Sequence, residues 1–172
     1  VKFSADIDRK VGAIYTKAGQ TVQDYVKIET EPNTAEREVT IPPSWKISLP
    51  EVSYSLGLSA ASQLLGTDDR PDAIFCAADV FALSVIKAAN RYGLNVPRDI
   101  GVVGFDNIEV ASIAVPSITT INQPAFQIGF TAGETMFPRI RAPEAMPSLI
   151  LLDTQLISRD SIIPFHRKVK LS

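Results

Sequence analysis

The sequence predicts an α/β fold, in which a parallel sheet is flanked by helices on both faces. Two apolar runs of strand length, DAIFCA at 72–77 and IGVVGF at 100–105, lie on either side of a helical pattern. Unbroken apolar runs are typical of parallel strands, because such strands are covered on both faces. Two strands joined by a helix form a βαβ unit, so residues 72–105 predict the middle of the sheet.

The helix inside this unit has recognisable ends. In the segment DVFALSVIKAANRYG, apolar residues recur with helical spacing from Phe81 to Tyr92. Asp79 is expected to be the N-cap, and Gly93 is placed to stop the helix at its carboxyl end. The apolar stripe is broad, which predicts a helix that is covered on two sides.

Further elements follow on the carboxyl side. The β-branched segment SITTINQ, residues 117–123, predicts an extended strand. Pro124 stands where an N1 proline would open a helix, and we expect Pro138 to interrupt that helix. Residues 149–161, LILLDTQLISRDS, again predict extended structure.

The first third of the chain is less regular. Residues 24–30 alternate as in a strand, and residues 57–65, GLSAASQLL, fit a short helix. Between them Pro42, Pro43 and Pro50 exclude a continuous helix.

Composition narrows the class of function. The chain has 172 residues, of which 45% are apolar, with 17 basic and 19 acidic side chains. One compact domain is expected from this length. The net charge of -2 shows that the chain lacks the excess of basic side chains that is typical of a surface that binds nucleic acid. The sequence shows no apolar leader in residues 1–30 and no run long enough to span a membrane, which favours the cytoplasm. Cys76, the only cysteine, lies in an apolar run and is expected to be a buried hydrophobe.

Patterns typical of enzymes are missing. The sequence contains no GxxxxGKS/T phosphate loop, no GxGxxG and no GxSxG. The only histidine, His166, lies in the basic tail 165–172, where a solvated chain end is the simpler interpretation. We therefore expect a protein that is not an enzyme, with no catalytic residues, no metal and no cofactor.

Two acids follow the predicted strands at their carboxyl ends, where open parallel sheets bind ligands. Asp79 follows the first apolar run and Asp106 follows the second. Carboxylates accept hydrogen bonds from hydroxyl pairs, so a ligand site is expected at this edge. The alternatives remain open: Asp79 can be only a helix cap, Asp106 only a turn residue, or the two can be the acid and base of an α/β enzyme.

Residues 70–129, RPDAIFCAADVFALSVIKAANRYGLNVPRDIGVVGFDNIEVASIAVPSITTINQPAFQIG, with LISRDS at 156–161, resemble the carboxyl-terminal lobe of LacI/GalR-family regulators. The resemblance implies a type I periplasmic-binding-protein-like lobe. Such a lobe closes on an effector, usually a sugar or a nucleobase, and signals to a DNA-binding headpiece. It further implies a cytoplasmic, homodimeric transcriptional regulator that senses a small molecule.

The resemblance also implies roles for particular residues. Asp106 matches the effector-binding acid of the GFD motif, and Gln123 matches the glutamine of TTxxQ. Arg37, in NTAERE, resembles an arginine that clamps the effector, and the alternative is an exposed arginine in a surface loop. Tyr54, in SYSLG, is near a position that stacks on the effector, or else is a plain rim aromatic. Leu83 corresponds to part of a dimer interface.

The sequence departs from the family in its amino-terminal part. Residues 57–164 form the expected effector-binding lobe, whereas residues 1–56 match poorly and are either part of this lobe or a remnant of another. Ala78 replaces a common asparagine, which leaves ligand specificity open. No helix-turn-helix headpiece is recognisable, so we expect DNA contact only through a segment outside this sequence. A periplasmic sugar-binding protein of a transport system is the main alternative.

Overall fold

The computed structural model describes residues 11–16, 41–144 and 149–163, and they contain one six-stranded sheet. The strands are β1 (Val11–Thr16), β2 (Lys46–Leu49), β3 (Ala73–Cys76), β4 (Gly101–Asp106), β5 (Thr119–Asn122) and β6 (Gln155–Ile157). Their order across the sheet is β2-β1-β3-β4-β5-β6. The first five strands are parallel, and only β6 runs antiparallel, beside β5. The predicted parallel sheet is confirmed.

Four helices accompany these strands in the described residues. They are α1 (Tyr54–Leu65), α2 (Asp79–Arg91), α3 (Glu109–Ile113) and α4 (Ala125–Arg141), and a 3-10 turn, Pro43–Trp45, precedes β2. Helices α1 and α2 pack against each other, and α2 packs on β3 and β4. The predicted βαβ unit is therefore present as β3-α2-β4.

The core lies between this helix pair and the middle of the sheet. All four residues of β3 are buried, as the unbroken apolar run predicted. Phe81 and Val85 of α2 and Val102 of β4 have no exposed surface. Side chains of this size contribute about 1.5–3 kcal/mol each when fully buried, so this packing fixes α2 to the sheet.

The carboxyl end of α2 follows the prediction, whereas its amino end does not. Gly93 has a φ of +69°, and the Leu94 and Gly93 amides donate to the carbonyls of Ala89 and Asn90. These two bonds form the Schellman motif that a glycine at this position favours. The expectation that Asp79 is the N-cap is wrong, because Ala78 is the N-cap and Asp79 is the first helical residue.

Helix α4 differs from the prediction at Pro138, which lies inside the helix and not at its end. A proline in the last turn removes one amide donor, yet the Ala142 amide still donates to the Pro138 carbonyl at 3.0 Å. At the other end, Pro124 is the N-cap and not N1. None of the side chains of α4 is buried, and its apolar residues include Phe126 at 88% exposure.

Two strands were not predicted from the sequence. Strand β1 pairs with both β2 and β3, and β2 forms one edge of the sheet. The segment that precedes residue 56 therefore contributes two strands to the same sheet as β3 and β4. Strand β2 is only four residues long and follows a proline-rich stretch, so its pattern is weak. The strand expected at residues 24–30 lies outside the described residues.

Candidate functional site

The carboxyl ends of the five parallel strands share one edge of the sheet. Helices α1, α2 and α4 follow β2, β3 and β5 and begin near this edge, which places Tyr54, Asp79 and Gln123 there. Asp106 is the last residue of β4 and reaches the same edge directly. Four of the five ligand-binding residues expected from the sequence thus belong to one side of the fold. The fifth, Arg37, lies outside the described residues.

Asp106 and Gln123 are in direct contact. The Gln123 side-chain amide donates to Asp106 Oδ1 at 2.5 Å, and both side chains are half-buried. Adjacent strands make this contact possible, because Asp106 pairs in register with Asn122, the residue before Gln123. Within the described part of the chain, Asp106 Oδ2 accepts no hydrogen bond. The pair therefore offers a carboxylate oxygen and an amide oxygen that can accept bonds from hydroxyl groups.

The backbone at Asp106 is unusual. Asp106 has a φ of +99° and Asn107 a φ of +56°, a region that residues other than glycine rarely adopt. Aspartate and asparagine tolerate it better than most residues, which explains the DN sequence at this bend. The bend turns the chain from β4 into α3.

Asp79 lies beneath this bend and has no exposed surface. Its Oδ1 accepts a hydrogen bond from the Thr120 hydroxyl at 2.6 Å, and its Oδ2 accepts one from the Ile108 amide at 2.9 Å. Burial raises the pKa of this carboxyl group above its ordinary value, although both hydrogen bonds act in the opposite direction. Asp79 is thus bonded to the protein itself. A carboxyl group that is fully buried and bonded in this way does not favour the acid and base pair considered from the sequence.

Tyr54 lies at the rim and not beside the Asp106–Gln123 pair. Its side chain is 44% exposed, and its carbonyl accepts a hydrogen bond from the Ser84 hydroxyl at 2.9 Å. This bond fixes the start of α1 against α2. Strand β2, which leads to Tyr54, is three strands from β4, or roughly 14 Å at ordinary strand spacing. Leu83 is half-buried on α2 and packs on the core.

Sequence reasoning missed a second group of polar residues that surrounds the bend. The Asn107 side chain donates to Asn122 Oδ1 at 3.0 Å and accepts a hydrogen bond from Arg159 Nη2 at 2.8 Å. Arg159 also donates to the Ile118 carbonyl at 2.8 Å. These contacts join residues up to 52 positions apart, so local sequence patterns do not reveal them. The only feature of the sequence that pointed to Arg159 was the family resemblance of the LISRDS segment, residues 156–161.

The described ranges hold no cluster of three or more histidine, cysteine, aspartate or glutamate side chains that could bind a metal ion. Within those ranges, no helix is both long enough and apolar enough to cross a membrane.

Known proteins resemble this chain over most of its length. A family described as periplasmic binding protein-like domain matches residues 9–162. The HTH-type transcriptional repressor PurR of Escherichia coli O1:K1 is 34% identical over 127 residues, which cover 74% of this chain. The chain spans only 37% of the length of that curated relative.

Solved structures agree with this match. A LacI-type transcription regulator from Bifidobacterium animalis subsp. lactis is 31% identical, with a TM-score of 0.60 over 66% of this chain and 40% of its own. A LacI family transcriptional regulator from Lactobacillus casei with bound sucrose is 21% identical, with a TM-score of 0.67 over 89% of this chain and 57% of its own. At that identity the second likeness shows the fold alone.

Proposed function

The chain belongs to the periplasmic binding protein-like family and is a LacI-family effector-binding domain, and we propose that it binds a polyhydroxy effector through Asp106 and Gln123. The effector in this proposal is a saccharide. The chain itself makes no contact with DNA in this proposal.

The observation that carries the proposal is the Asp106–Gln123 pair. One oxygen of Asp106 bonds to Gln123 at 2.5 Å, and the other faces no partner within the described residues. A carboxylate and an amide held side by side can bond two neighbouring hydroxyl groups of a sugar ring. A site of this kind discriminates strongly against analogues that lack the hydroxyl groups, because its own polar groups would then be left unpaired.

The remaining residues complete the proposed site. Arg37 would clamp the effector with its planar guanidinium group, and Tyr54 would stack on a part of the effector that extends from Asp106 toward the rim. Asp79 would support the site by holding the bend beneath Asp106 rather than by touching the effector. The fold shared with a Lactobacillus casei regulator that holds sucrose makes a saccharide the effector class to test first.

For the whole protein we propose the role of its relatives, a transcriptional regulator and not an enzyme or a transport protein. DNA would be bound by a headpiece outside this sequence, in a cytoplasmic homodimer whose interface includes the α2 helix around Leu83. An effector shifts such a regulator only by binding its closed and open states unequally. The named relatives are a repressor and LacI-type regulators, which supports this role.

Isothermal titration calorimetry tests the proposal. Sucrose, glucose, galactose and ribose are titrated into the protein encoded by the complete gene, in the wild type and in Asp106→Ala. Losing hydrogen bonds to a carboxylate costs about 1.5–3 kcal/mol, so binding should weaken roughly 10- to 150-fold.

Asp68→Ala is the matched control. Asp68 is an exposed aspartate in the turn after α1, which precedes β3 and so lies toward the opposite edge of the sheet. Its loss should leave the affinity unchanged. Saccharide binding that survives Asp106→Ala, or that is lost equally in Asp68→Ala, contradicts the proposed site.

A further inference from the structure

We propose that Asp79, Thr120 and Arg159 are positioning residues, which hold the bend at residues 106–108 in the conformation that presents the Asp106 carboxylate. The consequence for effector binding rests on the function proposed above. The positioning itself is a property of the fold and can be tested without an effector.

The bend needs restraint because its backbone is unfavourable. Asp106 and Asn107 are consecutive residues with positive φ, at +99° and +56°. Conformations of this kind are unfavourable for residues other than glycine and persist only where the surroundings enforce them. Without such restraint the bend would relax, and the Asp106 carboxylate would move away from Gln123.

The first restraint ends on the buried carboxylate of Asp79. The Asn107 amide donates to Thr120 Oγ1 at 3.3 Å, and the Thr120 hydroxyl then donates to Asp79 Oδ1 at 2.6 Å. The next amide, that of Ile108, donates directly to Asp79 Oδ2 at 2.9 Å. Two consecutive amides of the bend are therefore fixed by one carboxylate, directly and through the threonine hydroxyl.

The second restraint comes from the other side of the bend. Arg159, just beyond β6, donates from Nη2 to Asn107 Oδ1 and from Nη1 to the Ile118 carbonyl, both at 2.8 Å. The side-chain nitrogen of Asn107, Nδ2, in turn donates to Asn122 Oδ1 at 3.0 Å. The side chain of Asn107 is thus held between β5 and the segment after β6.

Strand β4 is shaped to admit the Asp79 carboxylate. A Cβ atom at Gly104 would overlap Asp79 Oδ1 and would lie 3.2 Å from Ile118 Cγ2. Any side chain larger than hydrogen at this position would displace the carboxylate from beneath the bend. The glycine therefore belongs to the same arrangement.

Stability alone is a poor explanation for Asp79. A buried carboxylate carries a large desolvation cost, and apolar residues of similar size often make a more stable core. Its two hydrogen-bond partners both lead to the bend, as described above. The burial of this carboxylate is explained if its role is to hold the bend that places Asp106.

Amide hydrogen exchange measured by NMR on the 172-residue chain tests the positioning. Thr120→Val keeps the side-chain shape and removes the hydroxyl relay, whereas Thr120→Ser retains the hydroxyl. In Thr120→Val, exchange at Asn107 and Ile108 should accelerate at least tenfold relative to the amides of β3. In Thr120→Ser the change should stay within about threefold.

Val85→Ala is the control for a general loss of stability. Val85 is fully buried on α2 and makes no hydrogen bond to the bend through its side chain. In Val85→Ala, the amide exchange rates should rise by the same factor at the bend and in β3. The proposal is overturned when Thr120→Val behaves in the same way as Val85→Ala.

Effector binding gives a second readout. Whichever sugar of the calorimetric panel binds the wild type should bind Thr120→Val about tenfold more weakly, and should bind Thr120→Ser and Val85→Ala nearly as well as the wild type. Equal affinities in all four proteins contradict the positioning role. If no sugar of the panel binds the wild type, the proposed saccharide function fails, and the exchange data still decide the positioning.

Discussion

Two glycines of β4, Gly101 and Gly104, provide a matched pair for testing the role of Asp79. Replacing Gly104 by alanine would push a Cβ atom into Asp79 Oδ1 and close to Ile118 Cγ2. At Gly101 the nearest neighbour of an added Cβ atom is Ala73 Cβ at 3.6 Å, which is ordinary van der Waals contact. The two substitutions are chemically identical and differ only in what they meet.

The expected magnitudes are well separated. Overpacking in a dense core costs about 1–3 kcal/mol. Disturbing hydrogen bonds to a buried carboxylate costs about 1.5–3 kcal/mol, and the two effects overlap in part. We therefore expect Gly104→Ala to lower the free energy of unfolding by about 3 kcal/mol and Tm by about 6–12 °C. Gly101→Ala should be neutral, or stabilising by up to about 1 kcal/mol through the unfolded chain.

Urea unfolding followed by tryptophan fluorescence measures this difference. Trp45 is the only tryptophan and is buried, so its emission reports the loss of the core. Equal stabilities of Gly104→Ala and Gly101→Ala would refute the close packing of β4 on Asp79. The arrangement inferred around the bend would then be wrong as well.

Three further predictions follow from local geometry. Gly93→Ala should lower the free energy of unfolding by about 1 kcal/mol, because alanine disfavours the φ of +69°, and Gly93→Asn should lose less; equal losses in urea unfolding would contradict this reason. Burial raises the pKa of Asp79 in the folded protein above its ordinary value of 3.8. The folded protein therefore binds this proton more tightly than the unfolded chain does. The contribution of Asp79 to stability is present at low pH and falls as the pH rises above 3.8. The stability deficit of Asp79→Asn should therefore be larger at pH 4 than at pH 7, and a deficit that shrinks on acidification would refute the direction. Burial also raises the pKa of the Cys76 thiol, so a thiol reagent should label it only in denaturant, and prompt labelling of the folded protein would disprove its burial.

The middle of the fold could be predicted because its signals are local. Strands β3 and β4 are unbroken apolar runs, and the end of α2 is marked by Gly93, so neighbouring residues suffice to recognise them. The sheet-edge argument concerned Asp79 and Asp106, whereas Gln123 was named only through the family resemblance. The contact between Gln123 and Asp106 follows from the pairing of β4 with β5. Strand β2 was missed because four residues carry little periodicity.

The role of Asp79 could not be read from the sequence. An aspartate before an apolar helix usually caps it, and here the carboxylate instead bonds to groups 29 and 41 positions further along the chain. Arg159 reaches the bend from a distance of 52 positions. Such contacts depend on the order of strands in the sheet, which local patterns do not specify. The continuation of α4 past Pro138 was missed for a local reason: the proline removes one amide donor, but the Ala142 amide still donates to the Pro138 carbonyl.

The central claim is that a saccharide binds at the Asp106–Gln123 edge, and an NMR titration tests it most directly. Sucrose, glucose, galactose and ribose are each added to the isotopically labelled protein, and the backbone amide shifts are followed. The account predicts that a binding sugar shifts the amides of Asp106, Asn107 and Gln123 most strongly. Shifts confined to the turn at 66–71, or to α4, or the absence of shifts with every sugar, would contradict it.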